Sequence, residues 1–269
     1  MNILVITEAI ATPEELNQII EKFIKEFHMI KIKRPVVSGS MALFYVRNSN
    51  PNDAKVYRLP DDIDLNLESS KGIDLKSLVD KIVKSINKDY KAMLPPSEKE
   101  QDDNDRDYYP FRIVNEKTGG LITKIDLFIK KSESENSLTL NKIEVEIIKV
   151  INQVANKLDV LLGKRGKTRA KDIIDLYELS FYEFDYLEIK KSLDSDTRNF
   201  HTLAYFLVNK NDFKNFYEKF IRINKSRLKE IPLFDEIYDR VLAFMKPFDK
   251  QDTRNLKWNP TLVKWQRTK

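Results

Sequence analysis

One stretch near the start of the chain, residues 36–67, restricts both the fold and the chemistry. A short apolar run leads into the pair Gly39 and Ser40, and a second apolar run begins with Asp62 and Asp64. Side chains two positions apart on a β-strand point to the same face, so these carboxylates can share hard cations such as Mg²⁺. The pattern predicts a strand, a tight turn and a helix, followed by a strand with paired carboxylates for phosphate chemistry.

The chain has 269 residues, 41% hydrophobic and 33% charged, which indicates a folded protein and favours two modest domains. No apolar run approaches the roughly 18 residues of a membrane-spanning helix, so we expect no membrane association. The first residues lack a basic region, and Glu8 interrupts their apolar patch, which argues against a secretory signal. The absence of cysteine excludes disulfides, thiolate zinc sites and cysteine nucleophiles, and fits the cytoplasm. A net charge of +5 favours polyanionic partners.

The first half of the chain has both helical and strand patterns. Thr12 and Glu15 predict a capping box, and the apolar residues that follow recur at helical spacing. A second amphipathic helix is predicted over residues 75–86. Strands are predicted at about 32–37, 63–67, 108–114 and 121–129, the last two as a hairpin. These elements predict an α+β domain.

The second half of the chain has helical patterns only. Spacings of three and four residues from Ile143 to Leu161 predict a long helix, and further helices are predicted at about 171–179, 202–221 and 233–244. The polar stretch 132–137 has the composition of a linker. We therefore predict an α+β domain over residues 1–135 and a helical-bundle domain over residues 136–269.

Asp126 is the candidate for a third carboxylate. It lies in the middle of a strand among apolar residues, where an unpaired carboxylate costs several kcal/mol unless it is paired or bound to metal. The alternatives are an ion pair with Lys124 or a side chain that points to solvent. Gly39 and Ser40 lie at a predicted helix start, which favours an anion such as phosphate, although Ser40 could be an ordinary helix cap.

A second group of candidates lies after residue 150. Lys157 is at the edge of the apolar stripe of its helix, from where its ammonium group could reach a cleft and hold a triphosphate. Arg165 and Lys171 belong to a basic, glycine-containing turn that could contact phosphate. Asp172 and Asp175 are one helical turn apart and share a face. The alternative for Lys157 and for the basic turn is that the side chains are simply solvated. The alternative for Asp172 is that it stabilises the helix dipole.

The last residues are basic and carry both tryptophans, Trp258 and Trp265. Aromatic residues among basic ones suit stacking on unpaired bases and contact with phosphate. The alternative is a C-terminal segment that packs its tryptophans on the helical domain.

The order of these features resembles the polymerase-beta-like nucleotidyltransferase superfamily. Residues 58–65, RLPDDIDL, are similar to the Arg-x-Ser-x-Asp-Ile-Asp-Leu pattern of the AbiEii/AbiGii-type toxins. Residues 157–179 are similar to the Lys-Leu helix, basic segment and Asp-x-x-Asp-Leu-Tyr helix of that family. The chain departs from the pattern in its longer gap between Ser40 and Asp62, in Pro60, which replaces the usual Ser, and in a longer KTRAKD step.

The resemblance implies a minimal nucleotidyltransferase fold, a mixed sheet flanked by helices, with a helical domain that completes the active-site cleft. It implies Mg²⁺-dependent transfer of a nucleoside monophosphate from an NTP, with two metal ions. The metal ligands would be Asp62, Asp64 and Asp126, with Asp126 or Asp175 completing the catalytic set. The nucleotide-binding residues would be Gly39, Ser40, Arg58, Lys157, Arg165, Lys171 and Asp172.

The resemblance also implies the toxin of a toxin–antitoxin or phage-defence system. RNA, such as a tRNA 3′ end, would be the acceptor, and a cognate antitoxin would be a partner. Two alternatives stay open: transfer to a small molecule or a protein, and a degenerate nucleotide-binding protein without catalysis.

Overall fold

The computed structural model describes residues 11–30, 33–48, 58–95, 107–130, 134–140, 142–162, 169–193, 203–228, 230–249 and 255–268. The chain divides into two compact units. The first comprises Met1–Ser49 and Leu59–Lys149, and the second comprises Asn50–Arg58 and Val150–Lys269.

A mixed seven-stranded sheet forms the centre of the first unit. Its elements in chain order are α1 (Pro13–Met29), β1 (Val36–Ser38), α2 (Gly39–Asn48), β2 (Asp62–Leu67), α3 (Leu75–Ile86), β3 (Tyr90–Met93), β4 (Tyr108–Asn115), β5 (Leu121–Ile129), β6 (Ser134–Leu140) and β7 (Ile143–Ile148). The strand order is β3-β4-β5-β2-β1-β7-β6. Strands β2 and β5 are parallel, as are β1 and β7, and the other neighbours are antiparallel. The predicted α+β fold with a mixed sheet flanked by helices is confirmed.

One face of the sheet packs on helices α1 and α3. Ile63, Leu65 and Leu67 of β2 and Ile125 and Leu127 of β5 lie on this face, and they are buried in one apolar core with both helices. Helix α1 begins with the predicted capping box, in which Glu15 accepts from the Thr12 amide at 2.8 Å and Thr12 accepts from the Glu15 amide at 3.2 Å. Because the apolar residues occupy one face, the polar residues of β2 and β5 lie on the other.

The helix predicted from Ile143 is wrong over its first turns, because residues 143–148 form strand β7. Strand β7 pairs antiparallel with β6 and parallel with β1. A spacing of four residues, as between Ile143 and Ile147, fits a strand of period 2 as well as a helix of period 3.6. The division between the units therefore falls after Lys149, and not at residue 135 as the polar stretch suggested.

The second unit contains helices and a small antiparallel sheet of order β10-β9-β8. Its elements are α4 (Val150–Leu162), α5 (Ala170–Leu179), β8 (Phe184–Asp185), α6 (Tyr186–Ser192), α7 (Leu203–Val208), α8 (Lys210–Ile223), a 3-10 turn (Lys225–Arg227), α9 (Phe234–Asp249), β9 (Leu256–Asn259) and β10 (Lys264–Arg267). The small sheet was not predicted, and the description of this unit as a helical bundle is not confirmed.

The two tryptophans of the tail lie in the small sheet. Trp258 is fully buried and its indole nitrogen donates to the Ser180 carbonyl at 2.7 Å. The indole of Trp265 donates to the Phe244 carbonyl at 2.8 Å. The tail therefore packs its tryptophans on the second unit, which is the second of the two predicted alternatives. In the described part of the chain, no helix is both long enough and apolar enough to cross a membrane.

Candidate active site

Three carboxylates lie on the polar face of the central sheet. The register of the parallel pair β2 and β5 places Asp64 directly beside Asp126 and Asp62 beside Lys124. Asp62 and Asp64 share this face because they are two residues apart on β2. All three carboxylate residues are half-buried. We call Asp62, Asp64 and Asp126 the acidic face.

Gly39 makes room for one of these carboxylates. Its φ of +63° is a left-handed conformation that favours glycine, and it lies where β1 turns into α2. A Cβ added at Gly39 would overlap the Oδ2 atom of Asp64 and lie 2.7 Å from its Cγ. Gly39 was predicted to be a nucleotide-binding residue at a helix start that favours phosphate. The structure gives a second reason for it, the position of the Asp64 side chain.

Ser40 holds the second carboxylate. Its hydroxyl donates to Oδ1 of Asp62 at 2.6 Å, and Ser40 itself is buried. Ser40 was predicted to bind the triphosphate, and in the structure its hydroxyl contacts the Asp62 carboxylate. Because the bond fixes one oxygen of the carboxylate, Ser40 restricts the orientation of Asp62.

Tyr108 holds the third carboxylate, and the sequence analysis did not find it. Its hydroxyl donates to Oδ1 of Asp126 at 3.0 Å, and its ring stacks on Phe128 with centroids 5.0 Å apart. Burial raises the pKa of Tyr108, and the nearby Asp126 carboxylate raises it further. The alternative of a Lys124–Asp126 ion pair is not observed, because Lys124 is exposed and Tyr108 supplies the hydrogen bond.

Lys130, just after β5, is a second residue near the acidic face that the sequence analysis missed. Desolvation lowers the pKa of Lys130, and Asp64 opposes this effect electrostatically. Its Nζ atom lies 5.2 Å from the centroid of the Phe128 ring. Lys130 therefore contributes positive charge beside the acidic face.

The donor set of the acidic face fits a Mg²⁺ ion in its chemistry, because Mg²⁺ is bound by carboxylate oxygens. The strand register also brings Asp64 and Asp126 to opposed positions, about 4.8 Å apart between strands. As the side chains lie, no group of three His, Cys, Asp or Glu residues within the described ranges is arranged to hold a metal. The hydrogen bonds from Ser40 and Tyr108 direct Asp62 and Asp126 individually. The positions of the three residues on the strands therefore suit a shared Mg²⁺ ion, whereas the side-chain rotamers in this structure do not form the site.

The second unit contains a buried network of charged side chains. Arg58 donates to both carboxylate oxygens of Asp175, at 3.1 and 3.2 Å from its terminal nitrogen. The ammonium of Lys157 contacts Asp175 at 2.8 Å and Asp172 at 2.7 Å. Arg169 completes the network with a contact of 2.6 Å to Asp172. Both carboxylate side chains are 1% exposed, so their ion pairs with Arg58 and Lys157 are buried, whereas the Arg169 side chain is 44% exposed.

Each pKa in this network follows from the opposite charges around the group. Burial alone would raise the pKa of Asp175, but Arg58 and Lys157 lower it to about 2. Burial likewise opposes ionisation of Asp172, but Lys157 and Arg169 lower its pKa. Burial disfavours the charged form of Lys157, but Asp175 and Asp172 raise its pKa well above the usual value. All these groups are therefore ionised at neutral pH.

The remaining predicted residues divide between described and undescribed segments. Lys171 lies in the first turn of α5 and lowers the pKa of Asp175 electrostatically. Arg165 lies outside the described residues, as do residues 49–57 of the longer gap before Asp62. The structure therefore brings together Asp62, Asp64 and Asp126 with Ser40, as one group. It brings together Arg58, Lys157, Asp172 and Asp175, with Arg169, as another.

The mixed sheet with a Gly-Ser turn and an acidic face has the features expected of a nucleotidyltransferase. The sequence pattern of the family described as nucleotidyl transferase AbiEii toxin, type IV toxin–antitoxin system, matches residues 36–260. The chain belongs to this family, and is a nucleotidyltransferase of a toxin family. The search of curated proteins found no match to this chain.

Several solved structures are similar over most of the chain. JHP933 from Helicobacter pylori has a TM-score of 0.49 and 16% identity, covering 90% of this chain and 94% of that one. MenT4, a nucleotidyltransferase toxin from Mycobacterium tuberculosis, has a TM-score of 0.42 and 11% identity, covering 87% of this chain and 93% of that one. An antigenic nucleotidyltransferase-like protein from Paracoccidioides brasiliensis has a TM-score of 0.42 and 13% identity, covering 76% and 94%.

Proposed function

We propose that this protein transfers a nucleoside monophosphate from an NTP to an RNA acceptor, with Mg²⁺ held by Asp62, Asp64 and Asp126. The observation that carries the proposal is the register of β2 and β5, which pairs Asp64 with Asp126 on the face that carries Asp62. Three hard oxygen donors on one half-buried face are the ligand set that metal-assisted phosphate chemistry needs.

In this reaction an acceptor oxygen attacks the α-phosphorus, the bond from this phosphorus to the bridging oxygen breaks, and pyrophosphate leaves. Mg²⁺ held by Asp62, Asp64 and Asp126 would supply positive charge that compensates the negative charge of the phosphates. Within the chain, Ser40 donates to one oxygen of Asp62 and Tyr108 donates to one oxygen of Asp126, which limits how these two carboxylates can turn toward a metal ion. Gly39 leaves the space that Asp64 needs. Positioning of this kind is the main contribution that protein makes to phosphoryl-type transfer.

We assign Asp175 a positioning role and not a role as general base. A carboxylate with a pKa of about 2 is a weak base at neutral pH, since an effective base has a pKa near the working pH. Its contacts are with Arg58 and Lys157, whose charges it neutralises and whose positions it fixes. Binding of the triphosphate by Lys157 stays a prediction.

RNA is the proposed acceptor on two grounds. The formal net charge of +5 favours a polyanion, and the family is one of toxins in type IV toxin–antitoxin systems. A cognate antitoxin is accordingly the proposed protein partner. A small molecule or protein acceptor, and nucleotide binding without turnover, are the competing functions that the experiment must separate.

The test is incubation of the protein with each of the four NTPs, labelled at the α-phosphate, together with Mg²⁺ and total RNA. Parallel reactions contain a protein extract or the small-molecule fraction of the same cells. We expect label in RNA, loss of labelling when EDTA removes Mg²⁺, and a preferred NTP. Label in protein or small molecules instead of RNA would contradict the acceptor. Mg²⁺-dependent NTP binding with no labelled product in any reaction would contradict catalysis.

A further inference from the structure

The second unit contains a pocket of about 340 Å³ between the start of α5 and the last turns of α8. This volume is within the range of about 300–1,000 Å³ in which bound small ligands are usually held. The side chains that define its chemistry are Arg169, Lys171, Lys219, Phe216, Phe220 and Ile223.

The pocket has a strongly positive lining. Arg169, Lys171 and Lys219 carry positive charge, and no acidic residue is among the described residues that line it. Arg169 donates through Nε to the buried Asp172, which holds its guanidinium in place at the pocket wall. Lys219 is exposed and makes no ion pair with any residue that the structure describes. The pocket is therefore suited to an anion.

Helix α8 contributes exposed apolar side chains to the pocket in addition to Lys219. Helix α8 packs into its unit through Phe213 and Tyr217, which are buried. Phe216 and Ile223 lie two turns apart on another side of the helix, with 37% and 48% of their surface exposed. An exposed aromatic face next to cations is what binding to unpaired nucleotides requires.

We propose that this pocket binds a single-stranded segment of the RNA acceptor. The phosphates contact Arg169, Lys171 and Lys219, and one base stacks on Phe216. The inference rests on the proposed function, because it takes RNA to be the acceptor. An acidic protein segment is the competing occupant, but such a partner would use Phe216 only as apolar surface and would tolerate a leucine there.

Lys219→Ala and Phe216→Leu on α8 test the proposal in the full-length protein, and each has its own control variant. Thermal unfolding checks that every variant is folded. Lys219→Ala removes a phosphate contact, and Lys214→Ala is its matched control on the same helix outside the pocket. Phe216→Leu removes stacking but keeps apolar surface, and Phe216→Tyr restores an aromatic ring. The probe is a labelled single-stranded RNA oligonucleotide of mixed sequence, with polyglutamate as the comparison polyanion.

We expect Phe216→Leu to weaken RNA binding about tenfold, the loss of one base stack. Lys219→Ala should weaken binding several-fold and reduce the slope of log affinity against log salt by about one. Phe216→Tyr and Lys214→Ala should bind as the wild type does. Phe216→Leu and Lys219→Ala should reduce RNA labelling at limiting RNA to the same extent as they reduce binding.

Three results would overturn the inference. The first is unchanged RNA binding and labelling in Lys219→Ala and Phe216→Leu. The second is equal binding by Phe216→Leu and Phe216→Tyr, and the third is binding of polyglutamate as tight as that of RNA. In each case the wild type still labels RNA, so the proposed function stands. Failure of the wild type to label RNA contradicts the proposed function itself and is a distinguishable result.

Discussion

The hydroxyl of Ser40, in the first turn of α2, donates to the carboxylate of Asp62, the first residue of β2, at a distance of 2.6 Å. The bond joins the Gly-Ser turn to the acidic face. Twenty-one residues lie between Ser40 and Asp62 in the sequence, and residues 49–57 among them lie outside the described ranges. The turn and the carboxylate pair therefore act as one structural feature.

We predict that Ser40→Ala lowers nucleotidyl transfer by about 10–100-fold, the usual cost of removing a group that orients a metal ligand. The apparent affinity for Mg²⁺ should fall together with the rate. Ser38→Ala is the control, because the Ser38 hydroxyl donates to the main-chain carbonyl of Asp64, at 3.4 Å, and to no carboxylate of a described residue. Steady-state rates over a Mg²⁺ titration measure both variants. Equal effects of the two substitutions would show that the bond to Asp62 has no special role.

We predict that Gly39→Ala abolishes transfer and destabilises the protein, because the added methyl group overlaps the Asp64 carboxylate. Gly72→Ala is the matched control: its φ is +77°, and a Cβ there meets no atom within 4 Å. The free energy of unfolding of Gly72→Ala should fall by about 1–2 kcal/mol, because alanine disfavours a left-handed conformation, and its activity should not change. Chemical denaturation and the transfer assay measure both. A Gly39→Ala variant as active as Gly72→Ala would contradict the placement of Asp64.

We predict that Tyr108→Phe lowers transfer about tenfold with little change in stability. The substitution removes the 3.0 Å hydrogen bond to Asp126 but keeps the ring that stacks on Phe128. Tyr109→Phe is the control, since Tyr109 lies in the apolar core of the same unit. Transfer rates and melting temperatures of both variants test the prediction. A Tyr108→Phe variant with the wild-type rate would remove Tyr108 from the site.

We predict that Asp175→Asn lowers the free energy of unfolding by about 3–5 kcal/mol at pH 7, because it leaves buried cations incompletely paired. The folded-state pKa of Asp175 is about 2, below its unfolded value near 3.8, so its ionised form stabilises the fold above pH about 4. This contribution is lost as the pH falls through the folded pKa. The difference between wild type and variant should therefore shrink from pH 5 toward pH 2.

Urea denaturation at several pH values measures this difference. Asp235→Asn is the control, because Asp235 forms an exposed ion pair with Lys210 and should change stability little. If Asp175→Asn is no more destabilising than Asp235→Asn at pH 7, the network is not the stabilising feature we describe.

The sequence alone predicts part of the acidic face. The shared direction of Asp62 and Asp64 follows from their two-residue spacing on a strand. The position of Asp126 beside Asp64 does not, because it depends on the parallel pairing of β2 with β5, which are far apart in sequence. Asp126 was a candidate because a carboxylate is unexpected among apolar residues and because the family resemblance implies a third carboxylate on a later strand.

Tyr108 could not be predicted because of a β-bulge. Counting back from the pair Val114 and Leu121 at the hairpin turn would place Tyr108 opposite Leu127, on the core face. The register shifts between Ile113 and Val114, and Tyr108 is opposite Phe128 instead. A shift of one residue moves every side chain of the strand to the other face. The bulge therefore brings Tyr108 to Asp126.

The charged residues of the second unit show a different limit of prediction from sequence. The spacing of Asp172 and Asp175 predicts that they share a helix face, as the structure has it. Their burial and their pairing with Arg58 and Lys157 depend on tertiary packing, which residue spacing does not give. The tail was a candidate for stacking on bases, but Trp258 is buried. Phe216 on α8, by contrast, is exposed and lies in a pocket lined by cations.

The central claim is that the acidic face performs nucleotidyl transfer, and Asp64→Asn tests it most directly. Wild type and variant are incubated with Mg²⁺, total RNA and NTP labelled at either the α- or the γ-phosphate. We predict that the wild type transfers only the α-label, and that Asp64→Asn, folded as judged by circular dichroism, transfers at least about 100-fold less. Transfer of the γ-label, or wild-type activity in a folded Asp64→Asn variant, would contradict the account.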